Sequence, residues 1–348
     1  MYAVIMRHSF AFFCAFLLGI YLVPIIIRAA LRIGFVDAPD GHLKHQKSPV
    51  PYLGGVAVFL PFIATLGLCY PFQNQALWLL LGITLLLFIG LIDDLRVLKP
   101  SQKFFGQTIA VLCFLKGEFS LKTDLFSFLP NVLLSGFWIL SVVNAFNLVD
   151  VMDGLCATLA LISALVLGII AWFAGNYQVS VLMAAFGGSI AAFLYYNRPP
   201  ARIYLGDSGS LFIGGFLAAI PLLLSWDSVL FGWHEGVAPY FFMMHVVRPL
   251  CEVFFIPAIV LALPLLELGA LFVIRTRMGI PFYNGSPHHF SLYLQRKGWS
   301  KQQILWFVGG LSALLGIQAL VFMQGLASFK VHIIADALLL AIWFYLVY

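Results

Sequence analysis

Apolar residues run through this chain in long blocks, not in the alternation of a strand or the one-faced stripe of a surface helix. Stretches 10–33, 52–71, 76–92, 102–116, 131–147, 154–174, 178–197, 209–225, 249–274, 302–323 and 331–348 approach the roughly 20 residues that a helix needs to cross a bilayer. The pattern predicts an all-α, polytopic integral membrane protein of about 11 transmembrane helices. The block 102–116 is the weakest, because Gln102, Lys103 and Gln107 interrupt it. Connections are short, which predicts a single transmembrane catalytic domain over residues 1–348, without internal or inverted repeats. The first apolar run lacks a small-residue cleavage site and is long enough to span, so it reads as a first helix and not as a cleaved leader.

Composition agrees with the pattern: 62% of residues are hydrophobic, only 9% are charged and mean hydropathy is +1.01. A soluble domain carries about 25% charged residues. Cys14, Cys69, Cys113, Cys156 and Cys251 stand singly inside apolar stretches, without metal or redox spacing, and read as packing residues. The net charge of +5 is no nucleic-acid footprint, since the basic residues lie in short loops between spans.

Those loops give an orientation. Of the 19 Lys and Arg residues, Arg28, Arg32, Lys44, Lys47, Arg96, Lys99, Lys103, Arg198, Arg202, Arg275, Arg277, Arg296, Lys297 and Lys301 follow odd-numbered spans or flank them. Only Arg7, Lys116, Lys122, Arg248 and Lys330 fall on the other side. Basic short loops mark the cytoplasmic face, which predicts an N-terminus outside and a C-terminus in the cytoplasm. The inference depends on span 4, whose loss would break the alternation.

The polar clusters fall on that same basic side. They are "HLKHQKSPVPYLGG" before span 2, "LIDDL" with Asp93 and Asp94, "NAFNLVDVMDG", "YLGDSGS" with Asp207, and "SPHHF" with His288 and His289. Acids at a membrane edge are costly and mark function. Asp93, Asp94, Asp150, Asp153 and Asp207 would repel one another without a cation between them. A hard divalent ion with oxygen ligands, Mg²⁺ with one or two carboxylates and substrate phosphates, fits such a set; the alternative for each Asp is a helix cap. Asn144, Asn147, Asp150 and Asp153 recur every third residue, which a 3₁₀ turn would align. "YLGDSGS" offers a glycine turn and free N–H groups that favour phosphate. Tyr204 suits either base stacking or interfacial anchoring. Lys47, Lys99, Lys103, Arg202 and Arg277 read as phosphate neutralisers or as ordinary loop charge. Together these features suggest phosphoryl transfer between a soluble anionic donor and a lipid acceptor.

The five motifs, in this order from about residue 35 to 300, resemble the bacterial polyprenyl-phosphate N-acetylhexosamine-1-phosphate transferases. The resemblance implies transfer of a HexNAc-1-phosphate, GlcNAc-1-phosphate first, from a UDP-sugar to undecaprenyl phosphate, with release of UMP. The alternative within the superfamily is the phospho-MurNAc-pentapeptide translocase that makes lipid I, and from another class a membrane transporter. It also implies Mg²⁺, with Mn²⁺ as its substitute, an active site facing the cytoplasm from a bacterial inner membrane, contact with the lipid bilayer, no nucleic-acid partner and a homodimer. Carried over by motif, Asp207 resembles the metal ligand, Asp93 and Asp94 the acidic pair next to the lipid phosphate, and Asp150 and Asp153 catalytic acids. Lys47, Asn147, Tyr204, His288 and His289 resemble substrate-binding residues. Two positions depart from the pattern: Val151 stands where the superfamily has glycine, and Pro287 precedes only two histidines. "VDAPDGHLKHQKSPVP" leans towards the GlcNAc branch and "HHF…KGW" towards lipid I synthases. Glu267, inside span 9, finds no assignment.

Overall fold

The computed structural model describes residues 2–37, 49–121, 127–224, 254–324 and 329–347. Lys47 lies outside the described residues. The described chain forms α1 (Tyr2–Ile33), β1 (Val36–Asp37), β2 (Val50–Pro51), α2 (Gly54–Cys69), α3 (Asn74–Leu95), α4 (Pro100–Lys116), α5 (Phe128–Val149), α6 (Leu155–Phe173), α7 (Tyr177–Asn197) and α8 (Gly206–Leu223). After a gap follow α9 (Ile256–Val260), α10 (Ala262–Arg277), α11 (Phe290–Arg296), α12 (Lys301–Met323) and α13 (Phe329–Val347). Among the described residues every predicted apolar block coincides with helix. Among the described residues seven helices, α1, α3, α5, α6, α7, α8 and α12, are long and apolar enough to cross a membrane, while α2 and α13 are shorter apolar helices. The block 249–274 is interrupted at Leu261, which separates α9 from α10.

Local signals set several helix starts. Pro100 opens α4, where its missing N–H costs nothing, and Gln102 reaches back to the Lys99 N–H at 3.0 Å. Ser300 and Gln303 form a reciprocal capping box at α12. The Asn176 side chain accepts from the Val179 N–H at the start of α7.

The bundle is built round α8. Its membrane-length window is 83% buried, against 28% for the peripheral α1, as expected of a helix that is apolar on every side. It packs against α2, α3, α5 and α6, while α7 fills the space between α1, α2 and α6. Between apolar helices in lipid, close packing depends on small residues, and α8 supplies Gly209, Gly214, Gly215, Ala218 and Ala219. On α3, Gly90 lies so near the Asp207–Ser208 backbone that a Cβ there would overlap it. Bulky apolar side chains point outwards instead: Phe13, Leu17 and Tyr21 on α1, Phe137 on α5, Trp306 and Leu314 on α12. That is the surface a bilayer requires.

Because successive helices run antiparallel, the C-terminal ends of α1, α3, α5 and α7 meet the N-terminal ends of α2, α4, α6 and α8. The doubtful fourth block forms the 17-residue helix α4, which is not one of the described helices long and apolar enough to cross a membrane. Lys301 at the start of α12 pairs with Asp153, just before α6, at 3.0 Å, which brings α12 to that same end independently of the connection 225–253.

Gly90→Ala should lower the melting temperature of the detergent-solubilised protein by several degrees, since the backbone it would strike cannot rotate away; overpacking of this kind costs about 1–3 kcal/mol. Gly310→Ala, at an open position on the outer face of α12, should leave it unchanged or slightly raised.

Candidate active site

At the end where the helices meet, the Lys103 ammonium sits among three polar side chains. It lies 2.6 Å from Asp207 Oδ2, 2.9 Å from Asp93 Oδ2 and 3.1 Å from Asn147 Oδ1. Asn147 in turn donates to Asp207 Oδ1 at 2.7 Å and to Ser210 Oγ at 2.9 Å. Four helices, α3, α4, α5 and α8, thus contribute one group each to a cluster round one positive charge. Lys103, one of the three residues that weakened the prediction of span 4, is its centre. Gln107, another of them, is buried and exchanges amide hydrogen bonds with Asn144 at 3.0 and 3.3 Å. Polarity inside an otherwise apolar helix was the sequence signal for both, and it pointed inwards.

The acidic pair divides its tasks. Asp94 accepts the backbone N–H groups of Asp207 at 2.8 Å and Ser208 at 3.0 Å, capping α8 from a neighbouring helix. The exposed amides and the dipole of a helix start favour a carboxylate there. Asp93 points the other way, accepting the Leu98 N–H at 2.7 Å with Oδ1 and facing Lys103 with Oδ2. The approach of Asp94 to α8 requires glycine at 206, where φ is +72° and a Cβ would meet the Asp94 carboxylate.

The period-three set does not align as a 3₁₀ turn. Helix α5 continues to Val149 and the chain then reverses, so Asn144 and Asn147 stay on the helix while Asp150 and Asp153 lie in the turn. Asp150 is half-buried; burial, then the charges of Asp207, Asp94 and Asp153, push its carboxyl well above the usual carboxylate range against the Gly206 N–H that it accepts. Asp153 pairs with Lys301 and accepts the Ala201 N–H at 3.3 Å. Val151 keeps a negative φ, and the left-handed residue of this turn is Gly154, at +75°; valine in place of glycine imposes no backbone strain. The Gly154 N–H donates to Asn197 Oδ1, and Asn197 donates to the Ile203 carbonyl, tying this turn to the loop before α8. Asn197 is a bracing residue the motif reading passed over.

The same loop carries Tyr204. Its N–H donates to the Pro51 carbonyl at 2.8 Å, its carbonyl accepts the Gly54 N–H, and its ring lies 6.0 Å from that of Tyr52. Burial, then Asp153 and Asp37, raise its hydroxyl to about 12. Pro51, whose carbonyl accepts the Tyr204 N–H, lies in β2, which pairs antiparallel with β1. Lys99, Arg202 and Arg277 are exposed. His289 bonds to Glu267, and the His288 ring lies 6.4 Å from that of Tyr293. No hydrogen bond or ion pair among the described residues joins either histidine to Asp93, Asp94, Asp150, Asp153 or Asp207.

Among the described residues no three His, Cys, Asp or Glu side chains form a ready cluster for a metal ion. The donor chemistry nonetheless fits Mg²⁺: Asp93 and Asp207 aim oxygens at one cationic point, the one occupied by the ammonium, and Mg²⁺ commonly takes only one or two carboxylates beside substrate phosphates.

Residues 76–225 match the model of the family described as glycosyl transferase family 4. A Bacillus subtilis protein named "Probable undecaprenyl-phosphate N-acetylglucosaminyl 1-phosphate transferase" is 32% identical over 235 residues, 64% of each chain. Proteins named phospho-N-acetylmuramoyl-pentapeptide-transferase from Campylobacter jejuni and Listeria innocua are each 29% identical, covering 90% and 89% of this chain and 94% and 97% of their own. The chain therefore spans less than two thirds of the Bacillus relative and nearly all of the other two.

Lys103→Met should lower the melting temperature at neutral pH, costing about 1–3 kcal/mol, the loss for a buried pair discounted for partial exposure. Adding Asp207→Asn should restore part of that loss, since it removes the uncompensated charge; a further additive loss would deny the pairing. For Asp150 the raised native pKa means that its stabilising contribution is complete below the unfolded value, about 3.9, and is lost as pH rises through the native one. The melting temperature of wild type relative to Asp150→Asn should accordingly fall as pH is raised from 4, and a constant difference would contradict the assignment.

Proposed function

We propose, from the premise that this chain belongs to the polyprenyl-phosphate N-acetylhexosamine-1-phosphate transferase superfamily, that it transfers a HexNAc-1-phosphate from a UDP-sugar to undecaprenyl phosphate and releases UMP. The observation that carries the reading is the Lys103 cluster, a cation held by carboxylates at the end of an apolar bundle. Two anions must meet in this reaction, and the protein's main task is to neutralise and align them. A lipid phosphate oxygen attacks the phosphorus that bears the sugar, the bond between the two donor phosphates breaks, and the leaving oxygen departs with UMP.

Each group has a part. Asp94, with both oxygens engaged by α8 amides, holds the start of α8 and with it Asp207. Asp93, whose Oδ2 faces the Lys103 ammonium and not backbone, is the group set to meet the lipid phosphate. Lys103 shifts from carboxylates to incoming phosphates and spares them the repulsion of bare acids. Asn147 keeps Asp207 oriented. Tyr204 offers its ring to the uracil. Asp207 and Asp93 would hold Mg²⁺ or Mn²⁺, which when bound supplies charge neutralisation of the donor diphosphate and of departing UMP. The basic residues gathered at this end support a reading in which it faces the cytoplasm from a bacterial inner membrane. A transporter would need its acids near the midplane, whereas these lie at helix ends.

Two donors remain in view. Identity favours UDP-GlcNAc, as the relative named for GlcNAc transfer is the more similar, at 32%. Coverage favours UDP-MurNAc-pentapeptide, as the relatives named for it align over about nine tenths of the chain. We place GlcNAc first.

Purified protein in detergent, given undecaprenyl phosphate and Mg²⁺, should release UMP from one of the two donors and not the other. Asp93→Asn and Asp207→Asn should reduce turnover at least a hundredfold with the protein still monodisperse, on the scale of losing an electrostatic group aimed at the transition state. EDTA should abolish release and Mg²⁺ restore it. Silence with both donors from folded protein would overturn the reading.

A further inference from the structure

Glu267 is a charged residue that neither the motifs nor the carboxylate cluster account for. It lies on α10, is fully buried, and places Oε1 2.9 Å from His289 Nδ1 and 3.4 Å from the Phe290 N–H. Its second oxygen has no hydrogen-bond partner among the described residues. An acid withdrawn from water is costly unless something specific engages it, and here the one side chain it meets is the His289 ring, beside the longer contact to the Phe290 N–H. Two turns further along α10, the buried Arg275 donates to Ser286 Oγ at 2.9 Å and to the Phe282 carbonyl at 2.8 Å. One helix therefore grips the loop 279–289 at two points, and the outer grip ends on His289. Helix α10 itself packs against α5, which carries Asn147.

We infer that Glu267 is the positioning residue of His289: it holds the hydrogen on Nδ1 and leaves Nε2 as the ring's hydrogen-bonding atom for the donor's diphosphate. The inference rests on the transferase reading for its ligand and on the geometry for the pairing. A carboxylate accepts, so Nδ1 must carry a hydrogen whether the ring is neutral or charged. The ring's protonation state is then expressed at Nε2 alone. With a hydrogen there as well, the imidazolium is neutralised from behind by Glu267 and donates forward to an anion. Glu267 does not touch substrate; it acts through His289, as carboxylates do when they orient a catalytic or metal-binding histidine.

The test has two readouts. In steady-state kinetics, Glu267→Ala should raise KM for the UDP-sugar about tenfold to a hundredfold, the usual cost of losing such an orienting partner. Glu267→Gln, which keeps a hydrogen bond to Nδ1, should recover most of that loss. In a His289→Ala background, Glu267→Ala should have no further effect. A wild-type KM in Glu267→Ala, or losses that add in the double variant, would overturn the inference. Independently of turnover, ¹⁵N-histidine NMR of the detergent-solubilised full chain should show the resonance missing from His289→Ala as protonated at Nδ1. A wild-type ring protonated only at Nε2 would overturn the pairing, whatever the activity of the alanine variant. An Nδ1–H signature in protein that releases UMP from neither donor would sink the transferase reading and support the pairing.

Discussion

One ammonium holds the functional end of this bundle together. Lys103 lies within 3.1 Å of groups from α3, α5 and α8, and without it two carboxylates would face each other at the edge of an apolar medium. Burying like charges together is among the least favourable arrangements a protein can adopt. The cluster is tolerable because it is mutually satisfied: lysine neutralises, asparagine donates, and backbone amides of α8 take up Asp94. The same features suit it to anionic substrates. A cation shared between two carboxylates can turn towards phosphate while the protein keeps its own acids oriented through Asn147 and Leu98.

That arrangement depends on close packing beside the charges themselves. Asp94 reaches the start of α8 only because α3 approaches α8 at Gly90, and because Gly206 adopts a left-handed backbone. In lipid, where burial of apolar surface gives no preference for one neighbour over another, such small-residue contacts decide which helices touch. Stability and site geometry are thus specified by the same residues. Asn197 extends the logic by tying the α5–α6 turn to the loop before α8 through its two amide atoms.

The second polar layer, Glu267 with His289 and Arg275 with the 279–289 loop, repeats the theme on α10. A buried charge on a helix fixes a side chain or backbone on the adjacent loop. The pair of histidines then has unequal parts: His289 is held from behind, whereas His288 has a buried Nδ1 with no partner among the described residues and lies beside Tyr293.

Much of this was written in the order of residues. Apolar blocks of spanning length predicted a bundle of helices, and their alternation predicted one end for every polar motif. The period-three run and the glycine-rich turns marked which loops carried chemistry. What spacing could not assign was the partner of each polar group. Asp93 and Asp94 are neighbours in sequence, yet they point about 100° apart on a helix, one to α4 and one to the start of α8. Lys103 looked like a defect in a span, and Glu267 like an isolated acid. Their partners lie 104 and 22 residues away, across helix contacts set by glycine positions and side-chain shape. Local pattern determines where a polar residue sits along the membrane axis; only packing decides which way it turns and what it meets there.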